Sequence, residues 1–208
     1  MNIKANYFYN YKTVGDVLMA IIDNDALPTS SKSFNNITLI YSQDTLIGIN
    51  FFNISEIVKI KSIGKIVLPP VALIDVLNSM LKEIGDYQLD YITDSMFVIG
   101  KILSVEEHPE SDHLHLLKVD IKDEVLDIVC GARNVEVNKL CVVAKVGAMM
   151  MDGSVIRPGK LLGEVSNGMC CSAKELGIDI PYIPHHLLLL DEENVEVGQD
   201  FFLTKGGY

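Results

Sequence analysis

IRPGKLLGEVSNGMCCSAKELGI, residues 156–178, is the stretch on which the reading of the fold turns. Glycines at 159, 163 and 168 punctuate it, KLLGEVS is a short strand-like run, and Cys170 and Cys171 stand side by side. Adjacent thiols suit a single metal centre poorly, because tetrahedral zinc sites space paired ligands by two to four residues and neighbours along a strand point to opposite faces. The other two cysteines, Cys130 and Cys141, each sit inside an apolar run, where a free thiol packs as a small hydrophobe. Four cysteines in 208 residues are too few for a disulfide scaffold. Core packing is the expectation for all four, with no metal and no cofactor.

Around this stretch the pattern repeats. From Met96 onward the chain runs FVIGKILSV, LHLLKVDI, VLDIVCG and LCVVAKVG, and later KLLGEVS and LLLL, with glycines at 131, 147, 153, 159, 163 and 168. Many short strands with regular turn signals point to a small barrel or sandwich, and an antiparallel barrel is the natural reading. Upstream the pattern differs. ITLIYS and TLIGINFFNIS are separated by Ser42-Gln43-Asp44, which predicts a hairpin with a three-residue loop, and DNDALPTSSKSFNN before them reads as a polar loop. After Pro69 and Pro70, the residues Val71, Ile74, Leu77, Leu81 and Ile84 recur at helical spacing, so an amphipathic helix is expected near 71–84 with Gly85 at its C′ position. DYQLDYITDS lacks periodicity, carries several acids and reads as a linker. The expected architecture is mainly β, with a smaller N-terminal α+β domain over residues 1–88 and a barrel over 96–203.

Apolar residues make up 49% of the chain and charged ones 22%, as in a soluble globular protein. No apolar run approaches the roughly 20 residues of a membrane-spanning helix, and MNIKANYFYNYK lacks the layout of a signal peptide. A cytoplasmic protein without a membrane association is expected. The net charge of -11 opposes polyanions. It is concentrated after residue 94, where 10 Lys and Arg face 18 acids.

HPESDHLH, residues 108–115, gathers three histidines and Asp112, but a metal site needs a further ligand that spacing does not identify, and histidines near a turn are more often surface groups. The chain has no phosphate-binding G-x-x-x-x-G-K-[ST], no G-x-G-x-x-G between a strand and a helix, and no G-x-S-x-G nucleophile elbow. No convergent catalytic set is offered, and an enzyme is not expected.

Four motifs occur in one order: HPESDHLHLLKVD at 108–120, DIVCGARNV at 127–135, VGAMM at 146–150 and IRPGKLLGEVSNGMCCSAKELGI at 156–178. With this spacing, residues 96–203 resemble the tRNA-binding OB-fold domain of the EMAP type. That domain is found at the C-terminus of many methionyl-tRNA synthetases, near the N-terminus of the bacterial phenylalanyl-tRNA synthetase β subunit and in small free-standing proteins. A first domain of about 90 residues followed by this module is similar to the layout of the YtpR-type tRNA-binding proteins. The resemblance implies a five-stranded OB-fold barrel and tRNA as partner. It also implies that Ser166, Gly168 and Met169 close a barrel strand and that residues 172–176 begin a short turn or helix.

OB barrels bind oligonucleotides on one sheet face and its flanking loops, where cations meet phosphates. The candidate RNA-binding residues are Arg133, Asn134, Arg157, Lys160, Ser166, Met169 and Lys174. Asn134 reads equally as an RNA-contacting amide and as a turn residue in left-handed geometry. Departures from the family pattern remove charge: His113 replaces a common lysine, VEVNK at 135–139 replaces a more basic stretch, and Phe97 is the only ring carbocycle between 96 and 180. The leading expectation is a non-catalytic tRNA-binding protein recognising folded RNA by shape and backbone. The alternative is a protein–protein interaction module, with a protein partner or a homodimer, that kept the OB fold but lost strong RNA binding.

Overall fold

The computed structural model describes residues 2–181, 183–191, 193 and 195–204. The chain divides into two compact units, residues 1–93 and 94–208.

The first unit contains β1 (Asn2–Ile3), β2 (Asn6–Tyr9), a short α1 (Tyr11–Val14), β3 (Val17–Ile21), β4 (Ser30–Phe34), β5 (Ile37–Ser42), β6 (Thr45–Phe52), β7 (Gly64–Ile66), α2 (Val71–Lys82) and β8 (Gln88–Leu89). Six of these strands form one antiparallel sheet in the order β4-β5-β6-β3-β2-β7, and β1 pairs with β8 in parallel. Alternation divides the sheet into two faces. Tyr7, Leu18, Leu39, Ile49 and Phe51 are fully buried and share a core with Leu73, Ile74, Leu77 and Leu81 of α2.

Several expectations change here. Val71 is 62% exposed and Leu73 takes its place on the buried face of α2, which ends at Lys82. The hairpin loop is two residues long, because Ser42 stays in the ladder opposite Thr45 and Gln43 makes the turn with φ 54°. Within the expected polar loop, Ser30–Phe34 is an edge strand. It is exposed along its whole length, so no apolar alternation marks it, and Lys32 blunts the edge. Within the expected linker, Leu89 is fully buried, and the buried Asn78 of α2 grips it twice, Nδ2 donating to Leu89 O at 3.0 Å and Oδ1 accepting from Leu89 N at 2.7 Å. The first unit therefore runs to Thr93, past the expected residue 88.

The second unit is a five-stranded, nearly closed OB-type barrel. Its strands are β9 (Phe97–Glu107), β10 (His115–Asp120), β11 (Val125–Cys130), β12 (Leu140–Lys145), a hairpin of β13 (Gly159–Leu161) and β14 (Glu164–Ser166), β15 (Gly168–Cys170) and the short β16 (Leu189–Leu190). The antiparallel order is β11-β10-β9-β12-β15, with β16 on β12. β9 serves two neighbours, β12 through its first half and β10 through its second, and Lys101 at the changeover pairs with both Leu140 and Asp120. The barrel bends there at Gly100. A Cβ on Gly100 would lie 2.6 Å from Val119 Cγ1 and 2.8 Å from Val143 Cγ2, so the interior has no room for one. The seam between β15 and β11 is closed by Asn167 N donating to Asp127 O at 2.8 Å and Val129 N donating to Ser166 Oγ at 3.2 Å. Gly168 makes that approach possible, since a Cβ there would meet Ala144 O at 3.2 Å and Ile128 Cδ1 at 3.3 Å.

All four cysteines are free and buried. Cys130, Cys141 and Cys170 belong to the barrel core beside Val98, Ile102 and Ile128, and the sulfurs of Cys141 and Cys170 are 3.9 Å apart. Burial pushes the Cys130 thiol up to about 11 and raises Cys171 further. The hydrogen bond with Cys141, together with burial, raises Cys170 as well. Thiolate is the reactive form, so these groups are held away from chemistry.

Two outcomes are expected. Gly100→Ala forces Val119 and Val143 aside and lowers stability by about 1–3 kcal/mol, read as a lower urea midpoint at unchanged m-value; an unchanged midpoint would contradict the packed interior. Iodoacetamide at neutral pH labels none of the four thiols in the native protein on the timescale that labels all four after denaturation. Fast native labelling of Cys170 or Cys171 would contradict their burial.

Candidate nucleic-acid interface

The predicted site residues fall on three neighbouring elements. Arg133 and Asn134 follow β11, Lys160 and Ser166 face each other's neighbours across the β13–β14 hairpin, and Met169 lies on β15 with Lys174 in the turn after it. Two adjoining clefts share Met169, Ser172 and Glu175. One, of about 330 Å³, runs between the Val129–Ala132 end of β11 and the His185–Leu187 segment. The other, of about 400 Å³, is lined by Met150, Met151, Ile156 and Lys174. Of the seven predicted residues only Met169, which lines both clefts, and Lys174 are part of their walls; Arg133, Asn134, Arg157, Lys160 and Ser166 stand outside both.

The local sequence explains how this surface is held. Ser172 and Glu175 form a capping box: the carboxylate accepts from Ser172 N and Ser172 Oγ, both at 2.7 Å, and Ser172 Oγ accepts from Glu175 N at 3.3 Å. The S-x-x-E spacing carried that signal. Asn134 is neither in left-handed geometry nor free, because its Nδ2 donates to Leu187 O at 3.1 Å and its Oδ1 accepts from Leu187 N at 2.8 Å. With Arg133 N donating to His185 O at 2.8 Å, this stitches the 185–187 segment to the loop after β11. Ser166 is likewise engaged, its Oγ accepting from Val129 N and donating to Gly168 O at 3.3 Å. Two of the seven predicted residues therefore have hydrogen-bonding roles in building the face.

Sequence reading did not single out Glu175, His185 or His186 as lining residues. The His-His pair after Pro184 was visible, but nothing in it pointed to β11. The earlier histidine cluster disperses. His108 is buried, accepting at Nδ1 from Glu110 N and using Nε2 against Leu161 O at 3.3 Å, so it holds the β13–β14 hairpin. His113 is exposed, 3.0 Å from Asp112. Among the described residues, no group of three or more His, Cys, Asp or Glu side chains is placed to hold a metal ion.

The cations sort into two kinds. Lys118 pairs with Asp127 at 2.8 Å and Lys145 with Asp94 at 3.2 Å, while Lys101, Arg157 and Lys174 also have interactions within the chain. Lys122, Arg133, Lys139 and Lys160 are exposed and make no ion pair among the described residues. Phe97 is fully buried, so the barrel strands β9–β15 present no phenyl or phenol ring to solvent.

Comparison with known proteins places these features in a family. A family model described as "Putative tRNA binding domain" matches residues 97–200, and one described as a domain of unknown function matches residues 25–90. The chain is 37% identical over 201 residues to "Putative tRNA-binding protein YtpR" of Bacillus subtilis, covering 94% of this chain and 98% of that one. Over 104 residues it is 46% identical to the phenylalanine–tRNA ligase β subunit of Staphylococcus aureus, covering 49% of this chain but 13% of that protein. Among solved structures, the C-terminal domain of Plasmodium vivax p43 aligns with a TM-score of 0.36 and 24% identity, over 49% of this chain and 56% of that one. With a similarity that runs through both units, the chain belongs to the YtpR family and carries that family's tRNA-binding domain as its second unit.

Proposed function

We propose that the protein is a non-catalytic tRNA-binding protein of the cytoplasm, which recognises folded RNA by its shape and backbone through the barrel face centred on Met169. The observation that carries this reading is the unequal treatment of the cations. Lys118 and Lys145 on the sheet are paired with carboxylates, whereas Arg133, next to the cleft residue Ala132, and Lys160 on the β13–β14 hairpin are exposed without an ion pair among the described residues, as are the more distant Lys122 and Lys139. An exposed cation without a partner in an acidic chain can neutralise a phosphate and release its counterions. Lys174 and Arg157 add charge nearby after exchanging their present contacts. Met169 offers an apolar, polarisable contact to a base or ribose. Glu175, which lines both clefts and is fixed by the capping box, repels phosphate and steers the backbone toward Arg133. Asn134 and Ser166 act by holding the face in shape.

Few unpaired cations and no exposed aromatic ring on the strands mean modest affinity that falls steeply with salt. The net charge of -11 favours one competing reading, a protein-interaction module that kept the barrel.

A salt series of tRNA binding separates the two. Arg133→Ala and Lys160→Ala each weaken binding to a similar degree across tRNA sequences and lower the salt slope by roughly one unit. Lys82→Ala in α2 changes neither. If the parent protein shows no saturable tRNA binding even at about 50 mM salt, where counterion release helps most, the RNA reading falls and the protein-partner reading replaces it.

A further inference from the structure

The outer face of the N-terminal sheet has a composition unlike the rest of the chain. Ladder pairing sets Lys65, Phe8, Met19, Asn50, Thr38 and Ser33 in one row across all six strands, with every side chain on the face opposite α2. The adjacent row is Asn6, Ile21, Gly48, Ile40 and Ser31, and Val17 and Phe52 pair beyond. No Asp or Glu occurs in either row, or anywhere in strands β2 to β7, in a chain that carries 28 acids. The nearest acids in sequence, Asp16, Asp23 and Asp44, lie in turns at the strand ends. Phe8, Val17, Met19, Ile21 and Ile40 are half-buried, outside the core that α2 covers.

We propose that this face is where two copies of the chain associate, sheet against sheet. A chain of net charge -11 repels its own copies over most of its surface, and the acid-free face is where that repulsion is least and apolar contact greatest. RNA is the poorer occupant, because the two rows hold a single cation, Lys65, and a polyanion needs several. Two antiparallel sheets pack naturally through such faces, with alternate side chains interdigitating. Six strands at about 4.8 Å spacing and about 15 Å length give a footprint whose burial in two copies is on the order of 700–1,000 Å², below the roughly 1,200–2,000 Å² of stable interfaces and in the range of weak, transient ones. The association is therefore reversible and concentration-dependent. It does not depend on the tRNA reading.

Sedimentation equilibrium of the full chain, from about 1 to about 200 µM, tests it. The expected result is a shift from the 23.0 kDa chain mass toward twice that value as concentration rises. Met19→Glu and Thr38→Glu, which place a carboxylate mid-row, each hold the protein at the monomer mass, with unfolding midpoints measured to confirm the fold. On the unsubstituted protein, oxidation of Met19 by dilute hydrogen peroxide slows as concentration rises, while oxidation of Met151 in the barrel unit does not. A parent that stays monomeric throughout overturns the proposal. So does a dimer that forms without protecting Met19, or one that survives both substitutions, since either puts the contact elsewhere. Loss of tRNA affinity in Met19→Glu at an unchanged monomer mass assigns the face to RNA and overturns it equally.

Discussion

The barrel depends on one close approach, that of β15 to β12 and β11 at Gly168. A Cβ at Gly168 would lie only 3.2 Å from Ala144 O, and without one the neighbouring Asn167 and Ser166 reach the backbone of β11. Those two hydrogen bonds close a sheet that would otherwise expose two edges. Everything on the candidate interface is anchored to that seam. Met169 is the next residue along, the capping box at Ser172 begins three residues later, and the loop holding Arg133 leaves the far end of β11. Gly100 makes the same kind of room on the opposite side, so two small residues set the curvature of the barrel.

Electrostatics then decide what the barrel can do. Lys118 and Lys145 are already paired with acids of the same chain, and Lys101, Arg157 and Lys174 are engaged within it, which leaves few charges for phosphate. Recognition that rests on Arg133 and Lys160 is sparse and sensitive to salt. In the first unit acids are absent from the strands of the large sheet altogether, so the two units differ in the character of the surfaces they offer. The thiols are all buried, Cys130, Cys141 and Cys170 within the barrel core cluster.

Much of this was legible from residues alone, and the failures have physical causes. The runs FVIGKILSV, LHLLKVDI, VLDIVCG and LCVVAKVG all became strands, because each carries an unbroken or alternating apolar pattern against one core. The helix near 71–84 was visible in its spacing, although Val71 proved to face solvent. β4 was hidden because an edge strand exposed throughout has no pattern to read, and β8 because a two-residue strand, its Leu89 held by Asn78, carries no periodicity. At the interface, the cations and Met169 could be listed from sequence, but not the pairing that silences Lys118 and Lys145 or the long-range hydrogen bonds that engage Asn134. Partners 53 residues apart leave no trace in local pattern.

The most direct test of the account is hydrogen exchange of the full chain with and without saturating tRNA at low salt. Slowed exchange is expected in the segments that build the two clefts and the loop beside them, residues 129–134, 150–156, 169–175 and 185–187, with the strands of the first unit unchanged. Protection confined to residues 2–93, or no protection at tRNA concentrations that saturate binding, would contradict it.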